Sequence, residues 1–163
     1  IGHLQSNKAK KAVEIFDVIQ TIDSVKIAQA VNDKAAAISK VIEVMIEVNI
    51  ANEENKHGCK IEDIEKIASE ILKMGNLKLI GLMTIGPLSE QHDESERGEK
   101  LRLYFRQMKQ KFDEMNYKFS KLGFKLKYLS MGMSDSYYVA IEEGSNMVRI
   151  GTEIFGEREK KEM

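Results

Sequence analysis

Two glycine-containing segments near the end of the chain carry the residue types that hold a phosphate. The first is Leu-Ser-Met-Gly-Met-Ser at 129–134, and the second is Met-Val-Arg-Ile-Gly-Thr at 147–152. In each, a strand-like stretch reaches a glycine, which lets the backbone approach a ligand, and then a hydroxyl side chain beside free N–H groups. Together they predict a phosphate cradle formed by Ser134, Gly151 and Thr152.

The first of these segments also has an ordinary structural explanation when taken alone. The first resembles any turn between a strand and a helix, with Ser134 as the capping residue of that helix. The pairing favours the phosphate, because barrels often bind phosphates between the loops that follow their last two strands.

Arg149 lies within the last predicted strand, over residues 147–150. Strand alternation could direct its guanidinium inward, where it would donate to an aromatic ring nitrogen or to an anion. A surface ion pair explains the residue equally well.

Other candidate sites are weaker. His3 stands near the start of the chain, and a lone histidine is more often structural. His57 and Cys59 lie two positions apart in a polar stretch, but two ligands do not make a zinc site, so no metal is expected. The sequence contains no Gly-x-Gly-x-x-Gly, no Walker loop and no Gly-x-Ser-x-Gly elbow.

Composition excludes several kinds of partner. The 25 basic and 26 acidic side chains nearly cancel, so no large field is available to attract nucleic acid or an anionic membrane. The single cysteine and nine methionines suit a reducing compartment, and the apolar runs are far shorter than the ~20 residues that span a bilayer. We expect a cytoplasmic protein that binds a small molecule.

Strand-like and helix-like stretches alternate along the whole chain. Predicted strands lie at residues 1–4, 17–22, 41–49, 77–84, 125–130 and 147–150. One predicted helix begins near residue 6. Four others run from 23–24 to 39, from 61 to 74, from 98 to 122 and from 134 to 143. Such alternation indicates a parallel sheet with crossover helices, either open and doubly wound or part of a closed barrel.

The strand at 41–49 favours the barrel. One of its faces is aliphatic, whereas Glu43, Glu47 and Asn49 lie on the other. Strands covered by helices on both sides are apolar on both faces, so this polar row suits a barrel lumen, although a solvent-exposed sheet face would look the same. We predict an α/β fold: a partial (β/α)8 TIM barrel of about six strand–helix units, in a single domain over residues 1–163. A complete barrel usually needs ~200–250 residues, so about two units would precede Ile1.

Five motifs, in order, resemble the pyridoxal phosphate homeostasis proteins of the YggS/PROSC type. They are Ile-Gly-His-Leu-Gln-Ser-Asn-Lys at 1–8, Val-Asn-Ile with its Glu-Glu-x-Lys-x-Gly loop at 48–58, Gly-Leu-Met-Thr-Ile at 81–85, Leu-Ser-Met-Gly-Met-Ser at 129–134, and Glu-Glu-Gly-Ser-x-Met-Val-Arg-Ile-Gly-Thr-x-Ile-Phe-Gly at 142–156. The resemblance covers practically the whole chain. It implies a barrel like the amino-terminal domain of alanine racemase. It also implies a protein that binds pyridoxal 5'-phosphate but has no established catalytic turnover.

The resemblance also implies roles for particular residues. Ser134, Gly151 and Thr152 would hold the phosphate, and Arg149 would face the pyridine nitrogen. Ser130, Met131 and Gly132 would shape the first turn. The family's Schiff-base lysine lies on a strand ahead of anything in this sequence, so no catalytic residue is assigned.

Three hypotheses about function follow. The first is a protein that stores or delivers pyridoxal phosphate and takes part in vitamin B6 homeostasis. The second is a racemase-like enzyme acting on amino acids, suggested by the shared barrel. The third is a truncated module without cofactor, which self-associates or pairs with another chain through unpaired strand edges.

Overall fold

The computed structural model of the chain describes residues 1–87 and 94–156, and for residues 94–97 it describes the backbone alone. Its strands are β1 (Val18–Ile22), β2 (Ile42–Val48), β3 (Leu77–Thr84), β4 (Tyr128–Met133) and β5 (Met147–Arg149). Its helices are α1 (Ala9–Ile15), α2 (Val25–Ala36), α3 (Ile64–Ile71), α4 (Glu94–Ser120), α5 (Tyr137–Glu142) and α6 (Thr152–Phe155). Short 3-10 turns precede α1 and α3, at Ser6–Lys8 and Ile61–Asp63. None of the helices in the described ranges has the length and apolar character needed to cross a bilayer.

The five strands form one parallel sheet in the order of the sequence. Neighbouring strands are roughly 4.8 Å apart, so β1 and β5 would be separated by about 19 Å if the sheet were flat. Yet Gln20 of β1 lies 3.4 Å from the sulfur of Met147 on β5. The sheet is therefore strongly curved, and the predicted α/β partial barrel is confirmed.

The prediction of a strand at residues 1–4 is wrong. These residues have neither strand nor helix conformation, and β1 pairs with β2 alone in the described sheet. Gly2 has a φ of 118°, outside the extended region, and no neighbouring strand offers this segment a ladder of hydrogen bonds.

Two separate apolar clusters lie on the two faces of the sheet. The larger one packs the outer face of the sheet against the helices, and it includes Ile46, Leu82 and Phe105, all fully buried. The smaller one contains Met45, Ile80 and Met83, with Tyr128 and Met147 against them. Because side chains alternate along a strand, Met45 and Ile46 point to opposite faces, and the smaller cluster fills the concave side. We call this side the lumen.

Local sequence explains the start of α2. Ser24 caps α2 as predicted, since its hydroxyl oxygen accepts a hydrogen bond from the Ile27 N–H at 3.3 Å. The prediction that Ser134 caps the next-to-last helix is wrong, because β4 continues to Met133 and α5 follows Ser136.

Candidate functional site

Arg149 lies inside the lumen, and its guanidinium is held by groups from two other strands. Its Nη1 donates to the Ser130 hydroxyl of β4 at 2.7 Å, and its Nη2 donates to the Thr84 carbonyl at the end of β3 at 2.8 Å. Burial lowers the pKa of Arg149 to about 10, so the side chain keeps its positive charge at neutral pH. The structure therefore assigns this arginine to the inside of the barrel and not to a surface ion pair.

A glutamine on the opposite edge of the sheet completes this arrangement. The Ser130 hydroxyl donates to Gln20 Oε1 at 2.8 Å, while its oxygen accepts from Arg149. Gln20 thereby fixes which way the hydroxyl points, and it leaves the oxygen lone pairs facing the guanidinium. We call Gln20, Ser130, Arg149 and the Thr84 carbonyl the lumen network.

The two glycine-containing segments lie side by side beyond the lumen network. Ser134 Oγ accepts a hydrogen bond from the Gly151 N–H at 3.1 Å, and it lies 3.5 Å from the Glu153 nitrogen. Gly151 and Thr152 are solvent-accessible, and no heavy atom lies within 4 Å of the Cβ position at Gly151. Hydroxyl and N–H groups therefore converge at an open position, as a phosphate cradle requires.

The three residues assigned to the first turn, Ser130, Met131 and Gly132, belong to strand β4 instead. Met131 is fully buried in the outer cluster. Gly132 has a φ of 93°, and a Cβ there would lie 2.6 Å from the Ala140 Cβ and 2.9 Å from the Tyr137 Cα. Only glycine lets α5 pack this closely on the strand, so the sequence prediction mistook a packing requirement for a turn.

The predicted polar row of β2 divides into residues with different surroundings. Glu43 lies at the opposite end of the strand and pairs with Lys78 at 2.7 Å. Glu47 is 4% exposed, and its Oε2 has no hydrogen-bond partner in the part of the chain that the structure describes. Burial raises the pKa of Glu47, and the nearby Asp23 raises it further. An orphaned carboxylate oxygen therefore lies buried near the mouth of the lumen.

Asn49 organises the loop that follows β2. Its side-chain amide donates to the carbonyl oxygens of Glu53 and Lys56 at 2.8 and 3.2 Å, and its Oδ1 accepts from the Glu53 N–H. The loop then returns beside β2, where Cys59 forms a bridge with Val48. This return places residues 55–57 over the mouth of the lumen.

A histidine pair at this mouth was not predicted from the sequence. His57 stacks on His3, with ring centroids 3.6 Å apart, and His3 Nδ1 lies 3.4 Å from an Asp23 carboxylate oxygen. Cys59, the neighbour considered with His57 in the sequence, is buried, and burial raises the pKa of its thiol to about 12. The signal that could have revealed the cluster is that Asp23 and His57 each follow the carboxyl end of a predicted strand.

Comparisons with known proteins identify the class. Residues 1–159 match the family described as "Alanine racemase, N-terminal domain", and the chain belongs to that family. Within it, the chain is 38% identical over 158 residues to the pyridoxal phosphate homeostasis protein of Aquifex aeolicus, and 36% identical over 160 residues to that of Escherichia coli K12. These matches cover 97% and 98% of the chain but 65% and 64% of the relatives, so the chain spans slightly less than two-thirds of their length.

Solved structures agree with this assignment. PipY of Synechococcus elongatus, solved without pyridoxal phosphate, superposes with a TM-score of 0.85 at 30% identity, over 96% of this chain and 69% of PipY. PipY with pyridoxal phosphate bound gives 0.81 at 28% identity, over 96% and 68%. An alanine racemase of Clostridium difficile shares the fold, with a TM-score of 0.72 at 18% identity over 99% of this chain and 40% of the racemase.

Proposed function

We propose that this chain binds pyridoxal 5'-phosphate at the mouth of the lumen and acts in the homeostasis of that cofactor. The observation that carries the proposal is the position of Arg149, which is half-buried, charged and held by Ser130 and Thr84 beside the Ser134–Gly151 turn. Relatives of this chain are named pyridoxal phosphate homeostasis proteins, and PipY has been solved with pyridoxal phosphate.

The residues present suit the two ends of this cofactor. Ser134, Gly151 and Thr152 would hold the phosphate dianion through O–H and N–H groups, which are the donors that such an anion prefers. Ser130, Met131 and Gly132 would support that turn as part of β4. Arg149 would face the pyridine nitrogen.

The charge of Arg149 favours a carrier or a racemase-like site over an aminotransferase-like enzyme. When bound, pyridoxal phosphate acts as an electron sink, and a protonated ring nitrogen strengthens that sink. A guanidinium only donates hydrogen bonds, so a ring nitrogen facing Arg149 stays unprotonated. The two groups that hold the guanidinium, Ser130 and the Thr84 carbonyl, would fix it in this role.

The test uses 4'-deoxypyridoxine 5'-phosphate, which keeps the phosphate and the ring nitrogen but has no aldehyde to react with surface lysines. Binding would be measured by calorimetry for the unmodified chain and for Arg149→Gln. We expect the variant to bind at least about 10-fold more weakly, because a hydrogen bond to a charged group is worth about 1.5–3 kcal/mol.

Arg106→Gln provides the matched control. Arg106 lies on α4, and its guanidinium pairs with Glu143 of α5. We expect this variant to bind like the unmodified chain. Equal binding by the Arg149 and Arg106 variants, or no binding by the unmodified chain, would contradict the proposal.

A further inference from the structure

Three side chains from distant parts of the sequence converge at the mouth of the lumen, on the side of β1 and β2. His3 comes from the segment before α1, Asp23 directly follows β1, and His57 lies in the loop after β2. One ligand atom from each lies within 4.8 Å of the other two. Together they bring two imidazoles and a carboxylate into one small region. Because the two rings are stacked, one of them must rotate before both ring nitrogens can face the same ion. None of them belongs to the lumen network.

The Asp23 side chain and the loop that carries His57 are each held in place. The Asp23 carboxylate accepts a hydrogen bond from the Ser24 hydroxyl at 2.9 Å. His57 precedes Gly58, where a Cβ would lie 2.6 Å from the Asn49 nitrogen, so the loop comes as close to β2 as glycine allows. The Lys56 amine donates to the Gly86 carbonyl at 2.9 Å and ties the loop to the segment after β3.

Glu47 supplies an independent indication that a cation belongs here. It lines a cavity of about 180 Å³ together with His3 and His57. Glu47 is only 4% exposed, and its Oε2 has no hydrogen-bond partner among the described residues. A buried carboxylate oxygen without a donor is costly, and a nearby divalent cation would offset that cost.

We propose that His3, Asp23 and His57 bind a divalent first-row transition-metal ion, for which Zn²⁺ is the representative. Two imidazoles and one carboxylate are a donor set that suits zinc, with a fourth position open to water. Glu47 and Asp23 together balance the charge of the ion. His3 and His57 are both accessible to solvent, so an ion can reach the cluster.

The test measures Zn²⁺ binding by calorimetry after the chain has been treated with a chelator. Co²⁺ serves as the spectroscopic probe, because its visible absorption reports coordination geometry and a thiolate ligand would add a charge-transfer band. We expect one ion per chain, no thiolate band, and an affinity at least about 10-fold lower in His57→Gln and in Asp23→Asn, since even the outer partners of metal ligands contribute about 10–100-fold.

Two further variants separate the possible outcomes. His92→Gln removes the remaining histidine, which lies outside the described residues, and we expect unchanged binding. Loss of binding in His3→Gln alone, with His57→Gln unaffected, would indicate chelation by the first residues of the chain and would overturn the proposal. No binding by the unmodified chain, or an affinity in the His57 and Asp23 variants equal to that of the unmodified chain, would also overturn it. Circular dichroism of the metal-free variants checks that they are folded.

Discussion

The outer and inner faces of the sheet are both buried, but they are built from different kinds of residue. The outer face contributes aliphatic side chains such as Ile46 and Leu82 to one continuous cluster under the helices. The lumen face has a small apolar cluster around Met45, and above it the network of Gln20, Ser130 and Arg149. The outer face therefore mainly stabilises the fold, whereas the inner face positions a charge.

The largest change in the free energy of unfolding is expected from a substitution on the outer face. Ile46→Ala should lower the free energy of unfolding by about 2–5 kcal/mol, because it leaves a cavity in a close-packed core. Ile38→Ala, at a position where the side chain is exposed, should change it by less than about 0.5 kcal/mol. Urea unfolding measures both. Similar losses in the two variants would show that Ile46 is not part of a packed core.

A smaller effect is expected in the lumen. Ser130→Ala removes the hydroxyl that links Arg149 to Gln20, and leaves a donor and an acceptor unpaired. This should cost about 1–3 kcal/mol of unfolding free energy. Ser120→Ala is the control, because that hydroxyl bonds to the Tyr117 carbonyl at an exposed helix end. Equal losses of unfolding free energy in Ser130→Ala and Ser120→Ala would show that the lumen network has no structural role.

The smallest effect is expected at an ion cluster on the helices. The Arg106 guanidinium, with Arg102 beside it, holds the pKa of Glu143 below its ordinary value of 4.5. A lowered pKa in the folded state contributes stability that is present above pH 4.5 and is lost as the pH falls through the folded-state pKa. Glu143→Gln should therefore melt at a lower temperature than the unmodified chain near neutral pH.

This difference should disappear in acid, and thermal melts between about pH 7 and pH 3 would follow it. A difference that is constant with pH would show that the loss does not come from the ion pairs. The loss of unfolding free energy in Glu143→Gln should be smaller than that in Ser130→Ala, because exposed ion pairs are screened by water and salt.

The same contrast explains what could be predicted from the sequence. Periodicity is a local signal, and it correctly separated the aliphatic face of β2 from the face that carries Met45 and Glu47. It also placed the serine and Gly-Thr segments after neighbouring strands, where Ser134 meets Gly151.

What sequence reasoning missed depends on contacts between distant residues. Gln20 and Ser130 are 110 positions apart, and only the curvature of the sheet brings them together. Gly132 resembles a turn residue until the packing of α5 is known. His3 and His57 each look like a lone histidine, because nothing local shows that their rings stack.

The central claim is that the Ser134–Gly151 turn recognises a phosphate while Arg149 faces the ring. The most direct measurement compares the binding of 4'-deoxypyridoxine with and without its 5'-phosphate. We predict that the phosphate ester binds at least about 10-fold more tightly, because hydrogen bonds to an ionised group are worth about 1.5–3 kcal/mol each, and that Ser134→Ala narrows the difference. Equal affinity for the two compounds would contradict the account.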